Sequence, residues 1–346
     1  MPQRSRLRPS SVLSLLMALS AAPAWLACSS SSGANAAGGD GGATAGRQVV
    51  TIASLGSVSS LRVDATSAYV ANYGSTAQVV QVPLAGGKPI VLASGLVDAQ
   101  GIVVAGKTVY WGEEYASSGA PSAIDGGVVS APVGGGASTT LASGQPFPSD
   151  LAADSSSLYW VNAGQCVGAA SCTGSVVKLA LQGGKPVTLA TGQNSPQVIA
   201  LDAASVYWGT GNGRVMKVAK GGGATTTLAY YQTSVRGIAV DGSSVYWAMS
   251  TGDIMKTPIG GGPSKALVVS VDSIAGIAVD STSIYWSTLG SSTGATIIGA
   301  VMKVSLDGGT PTTLWWGSDG PQAIAIDSNS VYFATSSGAL LKLTPK

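Results

Sequence analysis

The hydrophobic positions of this chain fall in short runs, not at the three-and-four spacing of a helix. The stretch "IALDAASVYW" at 199–208 returns as "IAVDGSSVYW" at 238–247 and as "IAVDSTSIYW" at 277–286. Each unit reads as an apolar run ending in Asp, three small or polar residues, an aliphatic residue and Tyr-Trp. After a variable stretch it continues with V-M-K-V, a Gly-Gly turn and T-L-A. The runs are rich in β-branched and aromatic residues and are bounded by Asp, Ser and Gly, which predicts four short strands per unit. Their near-continuous apolar character suits sheets covered on both faces. Aligned on the Asp position, the units fall at Asp64, Ala105, Asp154, Asp202, Asp241, Asp280 and Asp327.

Spacings of 39 to 49 residues match four-stranded blades of a propeller and not helical repeats. The final unit, "IAIDSNSVYFATSSGALLKL", lacks a fourth strand, and "RQVVTIAS" near the start reads as a fourth strand with nothing before it. The expected fold is all-β: a seven-bladed β-propeller of four-stranded antiparallel blades, closed by pairing of the N-terminal strand with the last three. Such closure removes open sheet edges. The repeated pairs Tyr110-Trp111, Tyr159-Trp160, Tyr207-Trp208, Tyr246-Trp247 and Tyr285-Trp286, with Tyr332-Phe333 and Tyr69-Val70 as weaker copies, resemble the YWTD-type propellers of the lipoprotein-receptor superfamily and related bacterial propellers. The Thr-Asp half of that motif is absent from every unit. The resemblance implies a propeller and leaves the ligand open.

Composition adds an address. The start "MPQRSRLRPSSVLSLLMALSAAPAWLAC" has a basic beginning, an apolar run and small residues before Cys28, an export signal too short for a stable span. Its end resembles a bacterial lipobox through Ala27 and Cys28, which implies a lipid-modified Cys28. Residues 1–27 are read as the signal, 28–46 as a Ser/Gly/Ala-rich tether and 47–346 as one propeller domain. With Cys28 lipidated, Cys166 and Cys172 make the even count of an oxidising compartment and are expected to form a disulfide. The expected location is the bacterial cell envelope, as an outer-membrane, periplasmic or cell-surface lipoprotein.

The chain holds 18 basic and 16 acidic residues and no histidine. Three of the basic residues lie in the signal, so the remainder is near neutral and shows no basic stripe for phosphate backbones. Nucleic acid is therefore not an expected partner. Without histidine, and with two thiols beyond Cys28, no metal site is expected, and no motif calls for a cofactor. The absence of histidine also removes the commonest acid–base group and the Ser-His-Asp arrangement. Streptogramin lyases are broadly similar propellers, but their His-dependent chemistry has no counterpart here.

The repeated residues themselves read as structure. Asp suits the turn between first and second strands, Tyr and Trp suit the core between blades, and the Gly-rich turns lead into strands where a phosphate loop leads into a helix. Length varies between the second and third strands, on the face conventionally called the top, and insertions on one face of a repeat protein mark a binding face. The long loops belong to blades two, three and six. Beside them a polar ring is expected from Ser59, Gln100, Ser149, Gln197, Arg236, Ala275 and Gln322. The candidate ligand-binding residues are Gln100, Glu113, Asp150, Gln197, Arg236 and Gln322. The leading expectation is a monomeric, non-catalytic binding or scaffold module for an envelope protein, peptide or glycan, held at the membrane only by its lipid. Two alternatives stand beside it. One is a lyase- or hydrolase-like enzyme using Asp98, Glu113, Glu114 and Asp150, and the other is a purely structural or adhesive surface module.

Overall fold

The structure is a computed structural model and describes residues 42–114, 126–167, 171–230, 233–269, 272–291 and 298–346. The expected signal, Cys28 and most of the tether lie outside these residues, as do parts of all three long loops. All regular structure among the described residues is strand, apart from turns. Four-stranded antiparallel sheets follow the repeat, for example Pro196–Leu201, Ser205–Thr210, Val215–Ala219 and Thr226–Ala229, paired in that order.

Both chain ends contribute to one sheet. Gln48–Ser54 pairs antiparallel with Ala339–Thr344, which continues to Val331–Thr335 and Pro321–Ile326. Two features differ from the sequence expectation. The first two units share one six-stranded sheet, because Ser67–Pro83 and Ile90–Ala105 are long strands that each do the work of two. Their ladders continue through Tyr73 opposite Asp98, where a loop was expected to break them. Gly42–Ala43, within the expected tether, forms a short strand against Trp315 and Trp316.

The Tyr-Trp pairs explain how the sheets stack. Neighbouring residues on a strand point to opposite faces, so each pair serves two cores. Tyr69 packs in the core that holds Trp111, Tyr110 in that of Trp160, Tyr159 in that of Trp208, and Tyr207 in that of Trp247. Tyr246 then shares a core with Trp286 and Tyr285 with Phe333. Tyr332, from the last unit, packs with Val70 of the first. Truncating a buried ring of this size to Ala costs about 3–5 kcal/mol.

The Asp positions set the turns. The Asp241 carboxylate accepts from the backbone N–H of Ser243 and of Ser244, each at 2.7 Å, and from Tyr246 Oη at 2.8 Å. The same Asp-to-Tyr bond, 2.6 to 3.2 Å long, recurs from Asp64, Asp154, Asp202, Asp280 and Asp327. Lysines of the V-M-K-V strands add a joint between sheets. Lys178, Lys217 and Lys256 lie over the rings of Tyr159, Tyr207 and Tyr246, and their ammonium groups donate to the backbone carbonyls of Lys220, Ile259 and Leu306 in the following sheet.

Candidate polar cavity at the top face

The first strand of each unit begins at the end of its sheet opposite the Asp turns. There the structure encloses a cavity of about 480 Å³. All seven expected ring positions line it: Ser59, Gln100, Ser149, Gln197, Arg236, Ala275 and Gln322. Below them, Leu61, Ile199, Ile238, Ile277 and Ile324 supply apolar wall. A few polar groups above an apolar lining is the usual build of a small-ligand site. The inner strands approach closely enough that a Cβ at Gly101 would lie 2.6 Å from Asp150 Cα, which is why glycine stands there.

The ring divides by its bonding. Ser59 Oγ donates to the carbonyls of Ala71 and Ala99, and Ser149 Oγ to that of Pro196 at 3.0 Å, so both hydroxyls tie neighbouring units together. Gln197 accepts a 3.3 Å bond from Ser234 Oγ, and Gln100 Nε2 donates to Asp98 Oδ2 at 2.8 Å. Arg236 is exposed and Gln322 half-buried, and neither makes a side-chain hydrogen bond or ion pair among the described residues.

Asp150, a candidate ligand group, is occupied within the protein. It pairs with Arg62 at 3.3 Å and accepts from the N–H of Leu151 and Ile199 at 2.9 and 3.0 Å. Burial pushes its carboxyl up, opposed by Arg62 and the two amides. Of the adjacent glutamates, Glu114 lines the cavity and Glu113 does not. Successive strand residues face opposite ways, and Glu113 takes the Trp111 side. Burial raises both, and the charge of Asp98, its cross-strand partner, raises Glu114 further. No group of three or more acidic or thiol side chains suited to a metal ion occurs among the described residues.

Two residues hold left-handed backbone without being glycine: Phe147 (φ 57°), which lines the cavity, and Ser195 (φ 42°), each immediately before the proline that opens an inner strand. Such a conformation costs about 1–3 kcal/mol and is retained where the surroundings enforce it.

Solved structures resemble the whole arrangement. Virginiamycin B lyase from Staphylococcus aureus superposes with a TM-score of 0.67 at 12% identity, covering 87% of this chain and 99% of the lyase. A catalytically inactive His-to-Ala form of that enzyme, solved with quinupristin, gives the same score and identity. The WD40 β-propeller domain of Doa1 gives 0.64 at 11% identity, covering 86% of this chain and 97% of that domain. The fold is a β-propeller. No family model matches the chain, and no curated protein matches it. At such identities the likeness carries the propeller fold and nothing of its ligands.

Five of the six candidate residues thus share one propeller cavity: Gln100, Asp150, Gln197, Arg236 and Gln322. The sequence reading missed Arg62. Its signal was available in the repeat, because two residues before the Asp position the other units carry Val103, Ala152, Ala200, Ala239, Ala278 and Ala325. Asp150 breaks the repeat in the same way, at a position that is otherwise Ser60, Gly101, Val198, Gly237, Gly276 and Ala323. The two exceptions pair with each other. Cys166 and Cys172 stand directly opposite in a two-residue antiparallel ladder, and their side chains lie outside the described residues.

Proposed function

We propose that this chain is an exported, lipid-anchored binding module, a closed seven-bladed propeller that takes its ligand in the top-face cavity without transforming it. The observation that carries this reading is Arg236, a guanidinium with no ion pair among the described residues, at the rim of a cavity that also holds Gln322, Gln197 and Gln100. A planar guanidinium holds a carboxylate through two parallel bonds, which gives the site a preferred ligand group. The seven-bladed, closed form is supported by the joint sheet of the two chain ends and by the core that Tyr332 shares with Val70. Contacts between innermost strands support it as well, since Pro321–Ile326 packs against Val58–Val63. The non-catalytic reading is supported by the lack of any histidine and by the engagement of Asp150 with Arg62.

Export and anchoring rest on the sequence before Cys28. Replacing Cys28 by Ser is expected to release the protein from the membrane fraction, and equal detergent partitioning of the two forms would refute the anchor. The proposed disulfide is favoured by the directly opposed Cys166 and Cys172, since such cross-strand pairs bring Cα atoms within disulfide reach. Intact-mass measurement with and without reductant decides it. The binding reading is tested by capturing envelope proteins, peptides and glycans on the immobilised protein, on Arg236→Ala and on Lys185→Ala. Lys185 is exposed in the Gly-Gly turn at the opposite end of its sheet. Loss with the first variant and retention with the second is expected, and the reverse pattern would put the site on the other face.

A further inference from the structure

The cavity has two poles. Arg236 stands on Val235–Val240. Gln100 and Glu114, which line the cavity, stand on Ile90–Ala105 and Thr108–Glu114, in the second half of the six-stranded sheet, and Asp98 lies behind them, outside the lining. Between them along the chain of contacting inner strands lie Pro148–Ala153 and Pro196–Leu201. The two poles are therefore separated by two intervening inner strands, across the cavity mouth. Arg62 and Asp150 also face this space, but they pair with each other and leave no net charge there.

The negative pole is short of a cation. Asp98 sits directly opposite Glu114 in the ladder, and Asp98 Oδ1 is buried without a hydrogen-bond partner among the described residues. The other oxygen takes the Gln100 amide, a neutral donor. Two carboxylates held together in this way repel, and the strain is visible in Glu114, which burial and then the Asp98 charge both push up. Residues 115–125, which follow in the sequence, contain no Lys or Arg. The positive pole is short of an anion in the same sense. Residues 231–232, 270–271 and 292–297, which lie outside the described part of the nearby blades, contain no Asp or Glu.

We propose that the cavity binds a zwitterion, a short peptide with both ends free, its carboxylate on Arg236 and its ammonium group on Glu114, whose negative charge is reinforced by Asp98 behind it. This deepens the binding reading above and rests on it. The amide groups of Gln197 and Gln322 offer a donor and an acceptor each to the peptide bonds that lie between the ends. The apolar wall of Leu61, Ile199, Ile238, Ile277 and Ile324 takes an aliphatic side chain of the middle residue. Neither end alone explains both unsatisfied poles, and a peptide bound through the middle of a long chain would satisfy neither.

The probe is the tripeptide Ala-Leu-Ala, titrated calorimetrically into the purified protein in four forms: free, N-acetylated, C-amidated and blocked at both ends. The free form is expected to bind, and each block to weaken it about tenfold or more, the usual loss when a charge-assisted contact is removed. Acetylation should make little difference in the Asp98→Asn, Glu114→Gln double variant, and amidation little difference in Arg236→Gln, because each variant has already lost the matching pole. Circular dichroism and thermal unfolding of the variants separate loss of binding from loss of fold. Equal binding of free and doubly blocked tripeptide would overturn the zwitterion while leaving a binding cavity. Absence of binding by all four forms to the folded wild-type protein would overturn it too. In both cases the wider binding reading is judged separately by envelope capture on Arg236→Ala.

Discussion

At one end of the blades every repeated carboxylate is saturated, while at the other the polar groups are partly idle. In the turns between first and second strands, Asp241 accepts two backbone amides and the Tyr246 hydroxyl, and five other units repeat the Asp-to-Tyr bond. At the cavity mouth, Arg236 and Gln322 make no side-chain bond among the described residues, and behind it Asp98 keeps one buried oxygen without a partner among them. Residues that recur in the repeat hold the propeller together. Residues that depart from it gather around the cavity.

The sharpest way to break this comparison is to remove the strand that unites the two chain ends. Deleting residues 47–54 takes away the partner of Ala339–Thr344 and exposes the edge of the last sheet. A loss of about 4 kcal/mol or more is expected, in the range reserved for disrupted cores and sheets. Unchanged thermal unfolding would count against closure through this pairing. Next in size is the turn. Asp241→Ala leaves the Tyr246 hydroxyl and two amides without their acceptor and is expected to cost about 2–3 kcal/mol in denaturant unfolding. Binding at the cavity should be unaffected, so a loss of affinity there would blur the division between the two ends.

The two ends also differ in their response to pH. Partial burial opposes ionisation of the turn aspartates, but the turn amides and the Tyr hydroxyl outweigh it and hold Asp64, Asp202, Asp241 and Asp327 below the usual carboxylate range. A lowered value contributes stability above the unfolded pKa that is lost as pH falls through the folded one, so the turns weaken below about pH 4. Glu113, Glu114 and Asp150 are raised by burial and run the opposite way, since their ionisation disfavours the fold and protonation relieves it. At high pH the turn tyrosines matter. Burial, with the Asp partner, pushes Tyr69 and Tyr285 up to about 12. Their contribution is whole below about pH 10 and is lost as pH rises through the folded value. Urea midpoints measured from acid to alkali should form a plateau that falls at both ends, and Tyr246→Phe should soften the alkaline fall. A midpoint that stays level above pH 11 would remove the turn network from the account. Smallest in stability is Arg236→Ala, expected within about 0.5 kcal/mol of wild type. Its effect should appear in ligand affinity alone.

Much of this was legible in the sequence, for particular reasons. The strands were readable because each Tyr-Trp pair must serve two cores, so the requirement is written again in every unit. The ring from Ser59 to Gln322 was readable because a position two places before the inner strand's aliphatic residue keeps its place in all units. The five-residue step from Asp to Tyr was also on the page, but a hydroxyl inside a core gives no sign of its partner until the turn is built. The fusion of the first two units was hidden, since "NYGSTAQ" and "SGLVDAQG" read as loops yet continue a ladder from Tyr73 to Asp98. Arg62 with Asp150 was hidden by distance along the chain, although each is conspicuous as the charged exception in its own column of the repeat.

The lysine joints have a consequence for how such a molecule tolerates change. Lys178, Lys217 and Lys256 each reach into the next sheet for a main-chain carbonyl, and the residues that provide it are as unlike as Lys220, Ile259 and Leu306. An acceptor that every amino acid carries places no demand on the neighbour's side chain. The turn that receives the lysine is therefore free to drift in sequence without loosening the seam, and a blade that is copied or exchanged arrives already equipped to receive its predecessor. Only the donor has to be inherited.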